Sequence, residues 1–193
     1  INETVNSDYI ALTQNPIYLQ DPRWQSAEGR DQMMRVERLR FLRPYQIEAI
    51  KAIQQAVASG KKRFLFEMAT GTGKTLTTAA IIKLFIKSQN ASRVLFFVDR
   101  LELEDQAGRR DLPSYLSPDF TVRVYKDHKD DWQRAEVVVT TIQSIMHKNR
   151  FQEIFNPNDF DLIISDEPHR AIGADGASRS VFEYFSGYQL GLT

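Results

Sequence analysis

Apolar residues follow two different periods along this chain. After Pro44, the segment YQIEAIKAIQQAVASG has apolar positions three or four residues apart: Ile47, Ile50, Ile53 and Val57. This spacing predicts an amphipathic helix, and Gly60 is a typical residue for its C-terminal end. The period then shortens, and the runs RFLFEM, RVLFFV, EVVVT, DLIIS and YQLGLT are short and almost continuously apolar. Such runs are typical of strands covered on both faces.

Helical segments separate these predicted strands, for example residues 74–87 and 101–107. Buried strands that alternate with helices favour a mainly parallel sheet flanked by helices, joined by right-handed crossovers. The predicted fold class is therefore α/β. Residues 1–41 are polar and irregular and are interpreted as a linker or packing arm, while residues 42–193 form the α/β lobe.

Composition narrows the class of protein without identifying a partner. The chain has 193 residues, of which 42% are hydrophobic and 26% charged, which suits one globular domain. Lys plus Arg and Asp plus Glu both number 25, so net charge gives no argument for a nucleic-acid or membrane partner. Cysteine is absent and no apolar run is long enough to span a membrane, which favours a cytoplasmic location. Because the chain lacks an initial Met and ends within a strand-like run, we expect it to be part of a longer protein.

The stretch FEMATGTGKTLTTAA carries the clearest chemistry. It follows a predicted strand, Arg63 to Glu67, and precedes a predicted helix, as a phosphate-binding loop requires. The loop residues Thr70, Gly71, Thr72 and Gly73 would turn their N–H groups toward phosphates at a helix N-terminus. Lys74 would neutralise the β and γ phosphates of ATP, and the Thr75 hydroxyl would bind Mg²⁺. Met68 occupies the first Gly position of the strict pattern, and the alternative is a structural Gly-rich turn with a chance lysine.

A second acidic element follows the run DLIIS. Asp166 comes directly after this predicted strand and Glu167 follows it. Asp166 would hold Mg²⁺, and Glu167 would orient and deprotonate the attacking water. The alternative is a charged loop after a core strand, which the presence of a phosphate loop makes less attractive. His169 has no second His or Cys at ligand spacing, so a metal role for it is weak.

Together these motifs resemble superfamily 2 helicases and translocases, P-loop NTPases with RecA-like lobes. MATGTGKT and DEPH resemble motifs I and II, LRPYQIEAI the Q-type motif, VLFFVDRLELEDQA motif Ia, VVVTTIQSI motif Ib or Ic, and YQLGLT the start of motif III, inside which the chain stops. The family usually has a small residue such as Ala where this chain has Pro168. Within the superfamily, the motifs are most similar to the motor (R) subunit of type I restriction enzymes, with the type III restriction subunit next.

The resemblance implies further roles for individual residues. Gln46, with Arg43 nearby, would recognise adenine. His169 and Thr193 would couple the ATP site to the rest of the motor. The DNA backbone would be contacted by Arg100, Thr140, Thr141, Gln143 and Ser144. For Thr141 and Ser144 the competing interpretation is a helix cap, because hydroxyls before a helix satisfy free N–H groups in any protein. Lys148 and Arg150, together with Arg123, Lys126 and Lys129, could add a local basic face, although most such charges are merely solvated.

The resemblance also implies the mechanism and the partners. ATP binding would close this lobe on a second RecA-like lobe, and hydrolysis would step the pair along double-stranded DNA, with methylation and specificity subunits as further partners. Because the second lobe supplies arginines to the transition state, the chain by itself is expected to show little ATPase activity. A repair or remodelling helicase of the same superfamily is one alternative. A nucleotide-binding interaction module without hydrolysis is another, and the joint presence of Lys74, Thr75, Asp166 and Glu167 argues against it.

Overall fold

The computed structural model describes residues 22, 26–32, 42–69, 71–146, 150–166 and 177–193. Its strands are β1 (Arg63–Phe66), β2 (Val94–Val98), β3 (Val122–Val124), β4 (Val137–Thr141), β5 (Leu162–Asp166) and β6 (Tyr188–Leu192). Its α-helices are α1 (Ala27–Asp31), α2 (Pro44–Ala58), α3 (Lys74–Lys87), α4 (Leu101–Gln106), α5 (Leu112–Leu116), α6 (Ile142–Met146), α7 (Phe151–Ile154) and α8 (Ala177–Tyr184). A π-helical turn (Ala107–Asp111) joins α4 to α5, and two 3₁₀ turns (Tyr125–Asp127 and Trp132–Arg134) separate β3 from β4.

The six strands form one parallel sheet in the order β1-β6-β5-β2-β4-β3. Strand β6, the last along the chain, pairs with both β1 and β5. Because all strands run the same way, their carboxyl ends and the loops that follow them lie along one edge of the sheet. This edge is where open α/β sheets bind their ligands.

Side chains that alternate along the strands build a core on each face of the sheet. On β2, Val94, Phe96 and Val98 join the core formed with α2, α3 and α5. Leu95 and Phe97 join the opposite core, which is rich in aromatic residues from the segment between β3 and β6. A central strand buried on both faces has no polar position, which explains why VLFFV is entirely apolar.

The π-helical turn brings Gly108 unusually close to the sheet. A β-carbon at this position would lie 2.4 Å from Val124 Cγ2 and 3.3 Å from Val139 Cβ. Only a residue without a side chain therefore lets residues 101–116 pack this tightly over β3 and β4.

The α/β fold predicted from the sequence is confirmed. Helix α3 has the predicted bounds, and α2 ends at a glycine cap in which Gly60 N–H donates to Val57 O and Lys61 N–H to Ala56 O. Two details differ. The short strand β3 carries Arg123 at its centre and gave no continuous apolar run. Strand β1 lies at the sheet edge and Leu65 is 59% exposed, so this strand is not covered on both faces.

Within the described ranges, no helix combines the length and the apolar character needed to cross a membrane. The division of the chain at residue 42 remains a prediction.

Candidate functional site: a phosphate loop and a second group of loops on one sheet edge

The loop between β1 and α3 has the backbone geometry of a phosphate cradle. Gly71 and Gly73 have φ angles of +79° and +86°, a left-handed conformation that side chains disfavour. Helix α3 is 14 residues long, begins at Lys74 and has no side-chain cap at its N-terminus. Its first N–H groups and the positive end of its dipole are therefore suited to an anion. Thr75 lies in the first turn, as a ligand to phosphate-bound Mg²⁺ requires.

Gln46 packs directly beneath this loop. Its Nε2 group donates to Gly73 O (3.2 Å), to Thr72 O (3.3 Å) and to Thr77 Oγ1 (3.0 Å), while its Oε1 accepts from Arg43 N–H (2.9 Å). A β-carbon on Gly73 would lie 2.8 Å from Gln46 Nε2. The buried amide thus supports the turn that presents the phosphate cradle. Its predicted contact with adenine remains a prediction.

Tyr45 makes a second contact with the loop, which the sequence alone did not predict. Its hydroxyl donates to Thr72 O at 2.6 Å and accepts from the Arg43 guanidinium at 3.2 Å. Tyr45 is 42% exposed. Arg43 and Tyr45 therefore contact the loop from its solvent-facing side, whereas Gln46 contacts it from the buried side. The sequence signal was the position of Tyr45 next to Gln46, but an aromatic residue there is equally compatible with a core position.

Thr193 lies beside the start of the phosphate loop. Its N–H donates to Phe66 O (2.9 Å), and its carbonyl accepts from Met68 N–H (2.7 Å). Met68, which replaces the first glycine of the strict motif, therefore uses its backbone to join the loop to β6.

Asp166 ends β5, in register with Leu192 of β6. Because β6 lies between β5 and β1, Asp166 and the phosphate loop are separated by two strand spacings, roughly 10 Å. A carboxylate at that separation is suited to reach a metal ion held on the phosphates of a bound nucleotide. Thr70, Glu167, Pro168 and His169 lie outside the described residues, so their predicted roles remain predictions.

The residues predicted to contact DNA lie at the ends of β2 and β4 or directly after them, on the same sheet edge as the phosphate loop. Arg100 precedes α4 and its side chain is 68% exposed, lying 3.4 Å from the Asp99 carboxylate. Gln143 and Ser144 in α6 are exposed, whereas Thr140 and Thr141 are fully buried. Exposure therefore makes Arg100, Gln143 and Ser144 the better candidates for direct contact.

The Thr141 hydroxyl acts as a helix cap. It accepts from the Ser144 N–H (3.2 Å) and lies 2.6 Å from Ser144 Oγ, the geometry of a capping residue at the start of α6. The cap and a contact with DNA are compatible for Ser144, whose side chain is exposed. For Thr141 the buried hydroxyl already has this structural role.

Two of the cations proposed for a local basic face, Arg123 and Lys126, are paired with carboxylates. Lys148 lies outside the described residues, and a contribution from Lys129 or Arg150 remains a prediction. Lys126 pairs with Glu104 and Asp105, and Arg123 pairs with Asp131. The hydrogen bond from Lys126, with help from Arg109, holds the pKa of Asp105 below its usual value. Likewise, the hydrogen bond from Arg123 lowers the pKa of Asp131. Because Lys126 and Arg123 are paired with carboxylates, their positive charges are less available to DNA phosphates than the sequence alone suggested.

A cavity of about 560 Å³ lies over β1 and β6 beside α8, lined in part by Leu65, Phe182 and Gly191. Residues 71–75 are not part of its lining. Its lining does include Thr193 and Ser165, so the cavity lies beside the residues that flank the phosphate loop and Asp166.

Comparison with known proteins assigns the chain to a family. Residues 40–193 match the family described as "Type III restriction enzyme, res subunit", and the chain belongs to that family. It is 38% identical over 156 residues to the type I restriction enzyme EcoAI endonuclease subunit of Escherichia coli, covering 78% of this chain and 19% of that protein. The resemblance to superfamily 2 motors, and to restriction subunits within them, is thereby confirmed.

The chain is also similar to a helicase and to a second restriction subunit. It is 30% identical over 153 residues to the Saccharomyces cerevisiae protein named "Putative ATP-dependent helicase IRC3", covering 75% of this chain and 21% of that protein. Among solved structures, the fragment of "a putative HsdR subunit of a type I restriction enzyme from Vibrio vulnificus YJ016" matches with a TM-score of 0.53 and 29% identity, over 77% of this chain and 25% of that one. The chain thus spans about a fifth of the length of these curated relatives.

Proposed function

We propose that the chain is the ATP-binding lobe of an ATP-dependent DNA translocase, the motor (R) subunit of a type I restriction-modification endonuclease. The observation that carries the proposal is the order of loops along the carboxyl edge of the sheet. The phosphate loop follows β1, Thr193 follows β6 and Asp166 ends β5, and these three strands are neighbours. Arg100 follows β2, the next strand, and the cap of α6 ends β4, the strand after that. One rigid sheet thus joins an ATP half to a DNA half.

The residues present suit ATP and Mg²⁺. The left-handed glycines and the uncapped start of α3 would bind the β and γ phosphates together with the Lys74 ammonium. Thr75 and Asp166 would hold Mg²⁺, which neutralises charge on the phosphates when bound. Glu167, which follows Asp166 in sequence, would accept a proton from the attacking water.

On the DNA half, the exposed side chains Arg100, Gln143 and Ser144 would bind phosphate and sugar oxygens. Such contacts position a strand without reading its sequence. The target site would therefore be chosen elsewhere, which fits a complex with methylation and specificity subunits in the cytoplasm. The second RecA-like lobe, in a longer protein, would complete the ATP site. It would also supply the second DNA-binding surface that translocation requires.

A helicase of repair or remodelling type is the second candidate, favoured by the 30% identity to a helicase relative. It has the same chemistry in this lobe, so ATPase assays do not separate the two. Assembly does: co-purification with methylation and specificity subunits supports the restriction motor, and a protein active on DNA without them supports the helicase.

Variants of the two-lobe protein test the ATP site. Lys74→Ala should weaken nucleotide binding and abolish DNA-stimulated ATPase. Glu167→Gln should retain ATP without hydrolysing it, as measured by filter binding and phosphate release. Wild-type turnover in Glu167→Gln would remove Glu167 from its role.

We also propose that residues 1–193 by themselves hydrolyse little ATP. DNA-stimulated turnover by this chain at the rate of the two-lobe protein would contradict the need for a second lobe.

A further inference from the structure

Glu104, in the first turns of α4, is completely buried, although it lies in the charged segment LELEDQ. The two leucines before it are instead 52% and 38% exposed. Burying a carboxylate is costly unless it is paired and hydrogen-bonded. Because the charged residue is buried here while the leucines are exposed, we infer that the Glu104 carboxylate has a specific structural role.

One carboxylate oxygen reaches the end of β4. Glu104 Oε1 accepts a hydrogen bond from the Thr141 N–H at 3.2 Å. Strand β3 ends opposite Val139, so this bond holds β4 two residues beyond its last pairing with β3. Thr141 is also the cap of α6, whose exposed residues are Gln143 and Ser144.

The other oxygen reaches the turn after β3. Lys126 Nζ lies 3.1 Å from Glu104 Oε2 and 2.8 Å from Asp105 Oδ1, and so forms ion pairs with both carboxylates. The adjacent carboxylates of Asp105 and then of Glu104 raise the pKa of Lys126 above its usual value. Lys126 therefore remains an ammonium ion throughout the neutral range and neutralises the buried carboxylate.

One side chain thus joins three elements of the carboxyl edge: α4, the β4–α6 junction and the turn after β3. A buried ion pair is weak evidence for a stabilising role, because proteins in which apolar residues of similar size replace such a pair are often equally stable. The ion pair does, however, fix the relative positions of the groups that it joins. Two of the three elements, α4 and α6, begin with the side chains that the proposed function assigns to DNA.

We propose that Glu104 is a positioning residue for DNA, which sets the distance between Arg100 at the start of α4 and the N-terminus of α6. The inference rests on the proposed function, since it concerns that site. Phosphates of a strand have a fixed spacing, so a grip made of two separate segments binds well only when the segments are held in register. Glu104 does not itself contact the strand.

Two variants separate the contacts of Glu104 in the two-lobe protein. Glu104→Gln keeps an acceptor for the Thr141 N–H and loses the charge opposite Lys126. Glu104→Met has a similar volume and loses both interactions. Glu102→Gln is the matched control, because Glu102 is an exposed carboxylate on the same helix. Circular dichroism checks that each variant is folded.

The measurements are the duplex DNA concentration that gives half-maximal ATPase stimulation, the maximal rate, and the affinity for a fluorescent ATP analogue without DNA. We expect Glu104→Met to raise the half-maximal DNA concentration about tenfold, the scale of one lost buried hydrogen bond. Glu104→Gln should have a smaller effect and Glu102→Gln none. Nucleotide affinity should stay within about twofold, since the ATP half lies on other strands.

The outcomes are distinguishable. An unchanged DNA requirement in Glu104→Met, or an equal loss of DNA and nucleotide affinity, overturns the inference and leaves the proposed function standing. If Glu104→Met does not fold, Glu104→Gln decides by the same criterion, with any increase above that of Glu102→Gln supporting the inference. A wild-type protein whose ATPase does not respond to duplex DNA overturns the proposed function and the inference together.

Discussion

Gly73→Ala tests whether Gln46 supports the phosphate loop. The φ angle of +86° strains any residue with a side chain, and the added β-carbon would lie 2.8 Å from Gln46 Nε2. Left-handed backbone costs about 1–2 kcal/mol in a residue other than glycine. Displacing the Gln46 amide from its buried acceptors adds about 1–3 kcal/mol. The free energy of unfolding should therefore fall by about 2–5 kcal/mol.

Gly60→Ala is the matched control for backbone strain. Gly60 has a φ angle of +81°, and a β-carbon there would have no neighbour within 4 Å. Its substitution should cost only the strain, about 1–2 kcal/mol. Urea unfolding followed by circular dichroism measures both changes, with Gly73→Ala repeated in a Gln46→Ala background. Equal costs for Gly73→Ala and Gly60→Ala, or no coupling between Gly73→Ala and Gln46→Ala, would refute the support of the loop by Gln46.

Two further predictions concern packing and pH. Gly108→Ala should destabilise the fold by about 1–3 kcal/mol through overpacking. Adding Val124→Ala should recover part of the loss, because Val124 Cγ2 is the atom nearest to the new β-carbon. Additive effects of the two substitutions in urea unfolding would argue against this contact. The hydrogen bond from Lys83, 2.6 Å away, lowers the pKa of Asp119 from 3.8. A lowered carboxyl pKa contributes stability that is full above the unfolded value and is lost as pH falls through the folded value. Lys83→Met should therefore flatten the loss of stability below about pH 4, and parallel acid-unfolding curves for variant and wild type would contradict this.

The hydrophobic pattern was sufficient to predict the class of fold and most of its elements. Strand β2 is apolar throughout and β4 begins with three valines, so both apolar runs are visible in one sequence. Strand order was not predictable, because the insertion of β6 between β1 and β5 depends on contacts far apart along the chain. Strand β3 escaped notice because Arg123 interrupts it.

The residues proposed to bind ATP are easier to recognise in the sequence than those proposed to contact DNA, for a physical reason. Phosphate chemistry demands glycines, a lysine and a hydroxyl at fixed local spacing, all visible in GTGKT. Most residues proposed to contact DNA are short polar side chains of a kind that also caps helices, and only the structure separates buried Thr141 from exposed Ser144. Glu104 looked like part of a solvated face, because burial against Thr141 and Lys126 is a tertiary property.

Displacement of a third strand from duplex DNA is a direct measure of translocation, because only a motor that moves along the duplex removes that strand. In the two-lobe protein, assembled with its partner subunits where these co-purify, we expect ATP to drive displacement, and neither Lys74→Ala nor a non-hydrolysable ATP analogue to support it. Displacement by Lys74→Ala at the wild-type rate, or ATP hydrolysis by the wild type without displacement, would contradict the account of this lobe as part of a DNA translocase.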